Sequence, residues 1–382
     1  MLAVRVTLIA AALALGACTR STTLIVDAGP PFPTRPTGMC LAAAPIDLLF
    51  MIDNSGSMVE EQASLGAQLP RLFTVLATGD VDGDGVQEAL PAPSIHAGVI
   101  TSDMGTGGFV VPTCAEPNFG DDGILHTRGN TARAGCNPTY PPFVDFTAGG
   151  NVAQASNDFA CVAVAGSGGC GFEQQLDAVL KALTPSTSEI RFATGTSGHG
   201  DLENSGFLRP DSLLAIVLVT DEEDCSVADP ELFNPDSSIY PGDLNLRCFQ
   251  YPSAVLPTSR YVDGLIALRA ARPWMLTFAA ITGIPARLSM GDPYAIDYDA
   301  ILADPEMQEQ IDPAMPTRLT PSCNVPGRGV AFAPRRIVTV ARDLSARGAT
   351  GIVQSICQED FKPAFNALIV AILDNACARY AE

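Results

Sequence analysis

A chain of 382 residues, 47% hydrophobic and only 17% charged, carries enough apolar material to bury the core of one large or two ordinary domains, which speaks against an intrinsically disordered protein. Its net charge of −20 argues against a nucleic-acid partner, because binding phosphate needs a basic face that displaces counterions. Cations are the more natural company for such a surface.

The chain opens with Arg5 followed by a run of Leu, Ile and Ala that ends in Leu15-Gly16-Ala17-Cys18. That run is too short to span a bilayer as a helix and reads as a signal peptide over residues 1–17. Its last four residues resemble the lipobox of bacterial lipoproteins, which implies cleavage before Cys18 and lipidation of that cysteine. By the same resemblance, Thr19 rather than Asp after the cysteine favours the outer membrane of the cell envelope. Residues 18–44 hold Pro30, Pro31, Pro33 and Pro36 among Thr, Ser and Gly, the composition of an extended tether. A folded domain over residues 45–382 is expected after it.

From Ile46 the pattern alternates. Residues 46–52 are apolar on both faces except Asp47, as a central strand of a parallel sheet would be. Leu65, Leu69, Leu72, Phe73 and Leu76 follow at helical spacing, with Pro70 expected to kink the helix. Strands are expected at 95–101, 213–220, 275–281 and 351–356, and helices at 172–183, 261–271, 336–347 and 361–375. Alternation at these lengths implies an α/β fold, a doubly wound, mostly parallel sheet flanked by helices. Long loops at 103–160, 223–258 and 284–333 carry most of the cysteines and prolines and read as insertions pinned by disulfides. His96 is expected to pack in its strand and His199 to sit in an exposed loop.

Of eleven cysteines, ten remain after Cys18, an even number suited to an oxidising compartment. Connectivity is not determined by sequence. Proximity suggests Cys114–Cys136, Cys161–Cys170 and Cys225–Cys248, and leaves Cys323–Cys357 and Cys40–Cys377, the last tying the domain ends together.

Two of the apolar strands end in acid. The first runs into Asp53-x-Ser55-x-Ser57, and the later one ends Val219-Thr220-Asp221. In doubly wound sheets ligands bind beyond the carboxyl ends of the strands, so both acids should face one crevice, where a carboxylate and two hydroxyls offer oxygens to a hard cation. On these two motifs the stretch from about Pro45 to Ala378 resembles the von Willebrand factor A domain. That resemblance implies Mg²⁺, or Mn²⁺, held by the Ser55 and Ser57 hydroxyls with Asp53 and Asp221 contacting it directly or through water. It further implies that an acidic side chain of a protein partner completes the octahedron. Where the family places a threonine, this chain has Gly168-Gly169-Cys170, and a cysteine is a poor ligand for a hard ion; another water, or Glu173 turned inward, could take the place. The other reading is that Ser55 and Asp221 merely cap helices and satisfy backbone donors.

A second oxygen-rich stretch is Asp80-Val-Asp82-Gly-Asp84-Gly-Val86-Gln-Glu88. Carboxylates at positions one, three, five and nine, with the Val86 carbonyl at seven, match the spacing of a Ca²⁺ loop. With Pro91 at position twelve it resembles the nine-residue calcium loops of extracellular β-propellers more than an EF-hand, and a structural role for Ca²⁺ is expected. The run Asp221-Glu222-Glu223-Asp224 could serve as a general acid/base cluster, though adjacent acids repel and are expected to face water. No zinc spacing of histidines, Gly-x-Ser-x-Gly or phosphate-binding lysine loop is present, so no enzyme is expected. The function these features suggest is a lipid-anchored envelope binding protein that captures an acidic group of its partner through a metal ion, in adhesion or assembly. A metal-free scaffold, or less readily a metal-dependent hydrolase, are the alternatives.

Overall fold

The computed structural model describes residues 40–289, 291–326 and 329–379, so the signal segment, Cys18 and most of the tether lie outside the described residues. In chain order the elements are β1 (Cys40–Ala43), β2 (Ile46–Ile52), α1 (Val59–Gly66), α2 (Leu69–Thr78), β3 (Ser94–Thr101), β4 (Phe143–Thr147), α3 (Val152–Val162), α4 (Gln175–Leu183) and β5 (Leu213–Val219). There follow α5 (Arg247–Gln250), α6 (Thr258–Ala267), β6 (Leu276–Thr282), α7 (Tyr298–Ala303), β7 (Cys323–Val325), β8 (Gly329–Ala331), α8 (Arg335–Ala346), β9 (Thr350–Ser355), α9 (Lys362–Ala376) and β10 (Cys377–Arg379). Among them no helix is long and apolar enough to cross a membrane.

The central sheet has six strands in the order β4-β3-β2-β5-β6-β9. All pairings in it are parallel except β3 with the edge strand β4. Every residue of β2, β5 and β6 is buried, because helices cover both faces and leave no solvated side to carry polar residues. The period of two splits each strand between two cores. Leu48, Phe50, Ala215 and Val217 face α2, α3 and α9, with Phe73, Phe159 and Phe365 among the largest contributors. Leu49, Met51, Ile216 and Leu218 face α4, α6 and α8, with Leu180, Tyr261 and Leu344. The connection order reverses between β2 and β5, whose neighbours in sequence lie on opposite sides, and this is the switch point at which such sheets bind ligands.

Pro70 does not kink one helix but separates two: α1 stops at Gly66 and Pro70 sits in the first turn of α2, where its missing N–H leaves no bond unmade. The folded part also begins earlier than residue 45, since β1 pairs antiparallel with β10 and Cys40 is bonded to Cys377. Cys225–Cys248 and Cys323–Cys357 join as expected. The other two pairings are not those suggested by proximity: instead of Cys114–Cys136 and Cys161–Cys170, the bonds are Cys114–Cys170 and Cys136–Cys161. The reason is α3, unforeseen in a stretch read as loop, which carries Cys161 to the 130–137 turn, where the Asn130 amide donates to the Cys161 carbonyl at 2.9 Å. Cys114 is thereby left facing the segment that leads into α4. Above the strand ends the loops form a small core of their own around Val111, Phe172, Leu232 and Phe233.

Candidate metal centre at the strand ends

The chain turns out of β2 at Asp53, whose amide still donates to the Val219 carbonyl of β5 at 2.9 Å. This continuation of the ladder places Asp53 beside Thr220 and Asp221, and all three are buried. The Asp53 carboxylate accepts three hydrogen bonds: Oδ1 from the Ser55 amide at 2.8 Å and the Ser102 hydroxyl at 3.3 Å, and Oδ2 from the Thr220 hydroxyl at 2.6 Å. Gln62 of α1 fixes the turn from the other side, donating to the Asp53 and Gly166 carbonyls at 2.7 Å each.

The hydroxyls are arranged differently. Ser55 Oγ and Ser57 Oγ lie 2.9 Å apart, and Ser57 Oγ donates to Asp221 Oδ1 at 3.2 Å. Around a Mg²⁺ ion with oxygens at about 2.1 Å, neighbouring ligands of an octahedron are about 3.0 Å apart, so Ser57 Oγ already stands at the spacing of an adjacent vertex from each of the other two oxygens. Asp221 Oδ2 is buried with no hydrogen-bond partner, a costly state for a carboxylate oxygen. Ser57 is exposed while Asp53, Ser55 and Asp221 are buried, so the cluster opens to solvent on the Ser57 side. The donor set is hard oxygen throughout and fits a hard divalent ion.

Charge points the same way. Burial, then the Asp53 charge, pushes Asp221 up to about 8, and burial raises Asp53 as well. Glu173 and Glu222 are held well above the usual carboxylate range by burial and by these neighbours, and burial lifts Glu61 to about 7. Among the described residues no Lys, Arg or His forms an ion pair with Asp53, Asp221, Glu173 or Glu222. The site is an acid cluster that lacks a counter-charge.

The segment expected to supply a threonine does reach the turn. The Gly169 amide donates to the Asn54 carbonyl at 2.8 Å, and a Cβ on Gly169 would come within 2.2 Å of the Asn54 side-chain oxygen, so any larger residue would have to displace the Asn54 side chain. The next side chain is Cys170, fully buried in its bond to Cys114, with its amide donating to Asp103 Oδ2 at 3.2 Å. It offers no ligand. Ser102, Thr220 and Gln62 were not anticipated as parts of the site. A signal existed for the first, since Thr101-Ser102-Asp103 follows an apolar strand much as Asp53-x-Ser55-x-Ser57 does.

The acidic run after β5 faces water only in part: Asp221 and Asp224 are buried, and Glu222 and Glu223 are partly exposed. Asp224 is fully buried, bonded to Arg336 at 3.1 Å and to the Leu176 amide in the first turn of α4 at 2.9 Å. Glu223 accepts from the amides of Arg336 and Asp224. Separate partners relieve the repulsion for Glu223 and Asp224 only, while Asp221 keeps one oxygen unbonded. His96 packs in its strand, 2.8 Å from the Phe207 carbonyl, as expected. His199 is buried rather than exposed, held between Asp122 at 2.9 Å and Glu203 at 2.5 Å.

The 80–88 stretch is a separate acidic turn at the end of α2. The ligand oxygens of Asp80, Asp82, Asp84 and Glu88 all lie within 4.8 Å of one another. Gly83 and Gly85 adopt φ of 84° and 89°, which lets their amides turn inward to the two Asp80 oxygens at 2.6 and 2.9 Å. Asp82, Asp84 and Glu88 accept from the amides of Asp84, Val86 and Val81. The Val86 side chain is 60% exposed, so position seven contributes nothing to packing.

No family model and no curated protein matches the chain. Among solved structures it is similar to proximal thread matrix protein 1 from the mussel byssus (crystal form 2), at 11% identity and a TM-score of 0.32 over 89% of this chain. The chain spans 50% of that protein's length, and a likeness of this degree carries no argument about fold or function.

Proposed function

We propose that this protein is a von Willebrand factor A-like binding module, lipid-anchored through Cys18 at the bacterial cell envelope, that holds an acidic group of a protein partner through a divalent ion. Mg²⁺ or Mn²⁺ is bound by Ser55, Ser57 and Asp221, with Asp53 acting through water because its own oxygens already accept from two hydroxyls and an amide. The observation that carries the reading is the octahedral-edge spacing of Ser57 Oγ from the Ser55 and Asp221 oxygens at the sheet's switch point, next to the unpartnered Asp221 Oδ2. The opening beside exposed Ser57 is the place for the partner's carboxylate, which the ion would attract across an otherwise acidic surface.

Calorimetry of the purified chain with Mg²⁺ and Mn²⁺, followed by titration with a glutamate-bearing peptide in the presence of metal, tests this. Saturable metal binding that Asp221→Ala abolishes is expected, with peptide binding only when metal is present. If chelator-washed protein takes up neither ion, the pocket is a metal-free structural feature and the reading fails. Calcium at the 80–88 turn is proposed as a separate, structural ion that stiffens the link between α2 and β3. No catalytic role is proposed.

A further inference from the structure

Beside the strand-end site lies a cavity of about 450 Å³, within the range of small-ligand pockets, between the segment entering α4, the chain after β5 and the loop that carries α5. Phe172, Leu244, Phe249, Val255, Leu319 and Phe332 form its apolar wall. Its charged lining divides into two kinds. Arg336 is spent on Asp224 and the Leu256 carbonyl, Glu223 accepts two amides, Glu309 lies 3.9 Å from Arg335, and Arg318 is paired with Asp312 at 3.2 Å. Glu173 and Glu222 have no such partners: neither carboxyl meets a cation or a hydrogen-bonding side chain among the described residues. Glu173 is only 7% exposed, and its carboxyl, met by its own backbone amide and by no side chain among the described residues, is retained against a desolvation cost.

We propose that this cavity binds an organic cation, an ammonium or guanidinium group on a short apolar body. The cation is held by Glu173 and Glu222 and its body lies against the Phe172 and Phe249 wall. The apolar wall offers contact to an organic body and none to the water shell of a hydrated metal ion, and the two arginines of the lining are already neutralised, so an anion gains nothing there. The cation can come free, as a small amine, or as a lysine or arginine side chain of a protein. The proposal goes beyond the metal centre and does not need it.

Calorimetry with agmatine, benzylammonium and an arginine-bearing pentapeptide, against benzyl alcohol as the neutral match, tests it on the purified chain in chelator and in Mg²⁺. Saturable binding of a cationic probe at least about tenfold tighter than benzyl alcohol is expected, reduced about tenfold or more by Glu173→Gln and by Glu222→Gln. Ser57→Ala, which removes a metal-site hydroxyl that does not line the cavity, should leave cation binding unchanged while abolishing the Mg²⁺ response. Binding of the free amines assigns a small-molecule source, and binding of the peptide alone assigns a side chain. Equal affinity for benzyl alcohol, no binding of any cation, or full cation affinity in both glutamine variants with unchanged melting temperatures each overturns the proposal.

Discussion

The strand-end centre and the 80–88 turn both gather acids around a point, but they are built by opposite means. At the strand ends the backbone ladder between β2 and β5 sets the positions of Asp53 and Asp221, and the side chains are buried. In the 80–88 turn the acids are partly or wholly exposed, and each is satisfied by an amide of the turn itself. The first site therefore stores unmet electrostatic demand inside the fold, and occupying it should change the stability of the whole domain. The second is wetted and screened, and occupying it should change little beyond its own turn.

The sharpest test of the buried site concerns Cys170, where the resemblance to von Willebrand factor A domains led to the expectation of a threonine. Replacing the pair together, Cys114→Ala with Cys170→Thr, removes a cross-link that closes a 56-residue loop and should cost about 4 kcal/mol in urea unfolding. The same double variant places a hydroxyl beside the Asp53 turn, and Mg²⁺ affinity by calorimetry should rise about tenfold. Lost stability with unchanged Mg²⁺ affinity would show that the 168–170 segment has been aligned with the wrong position.

A smaller effect follows from the ion itself. At a hundredfold excess over its dissociation constant, Mg²⁺ should stabilise the native chain by about 2.7 kcal/mol, read as a melting temperature several degrees higher than in chelator. Asp221→Asn should lose that increment entirely. In chelator, however, the variant should match or exceed the native chain, because it removes one of the buried acids that repel each other. A variant less stable in both conditions would mean that Asp221 serves packing and not an ion.

How much of this could be read beforehand differs between the two regions for a physical reason. The turn at 80–88 is local, so sequence spacing alone gave all four acids that converge. The strand-end site is assembled from residues 53–57, 102 and 220–221, which only the sheet brings together. Its acids were legible because each ends an apolar strand, and the five parallel strands of the sheet followed from the same apolar runs. Ser102 and Thr220 escaped because a single hydroxyl at a strand end carries no pattern of its own. The swapped disulfides and the missed β4 and α3 share a cause. Phe143–Thr147 is a half-exposed edge strand and Val152–Val162 a short helix with few large apolar residues, so neither shows the periodicity that marked the core elements.

For the exposed turn, Asp82→Ala should abolish Ca²⁺ uptake by calorimetry while shifting unfolding in chelator by less than about 0.5 kcal/mol, as expected of a surface change that also relieves repulsion. Its Mg²⁺ response should stay native, since the two sites share no side chain. If Asp82→Ala also blunts the Mg²⁺ response, the turn and the strand ends are coupled and the contrast between them is false.

A further small effect comes from a third acidic cluster that needs no ion, because His199 and Lys181 already neutralise Asp122. Burial pulls the His199 imidazole down, but its bonds to Asp122 and Glu203 outweigh this and hold it above the ordinary histidine value. A raised folded value means that the contribution to stability is complete below the unfolded pKa of about 6.5 and fades as pH rises through the folded one. His199→Gln should therefore be less stable than the native chain at pH 5.5, by less than about 1 kcal/mol because Glu203, one of its two partners, is half-exposed. By pH 8.5 the two urea midpoints should converge. A difference that persists undiminished at pH 8.5 would assign His199 to packing, and the strand-end acids would no longer stand apart as the cluster whose counter-charge must arrive from outside the chain.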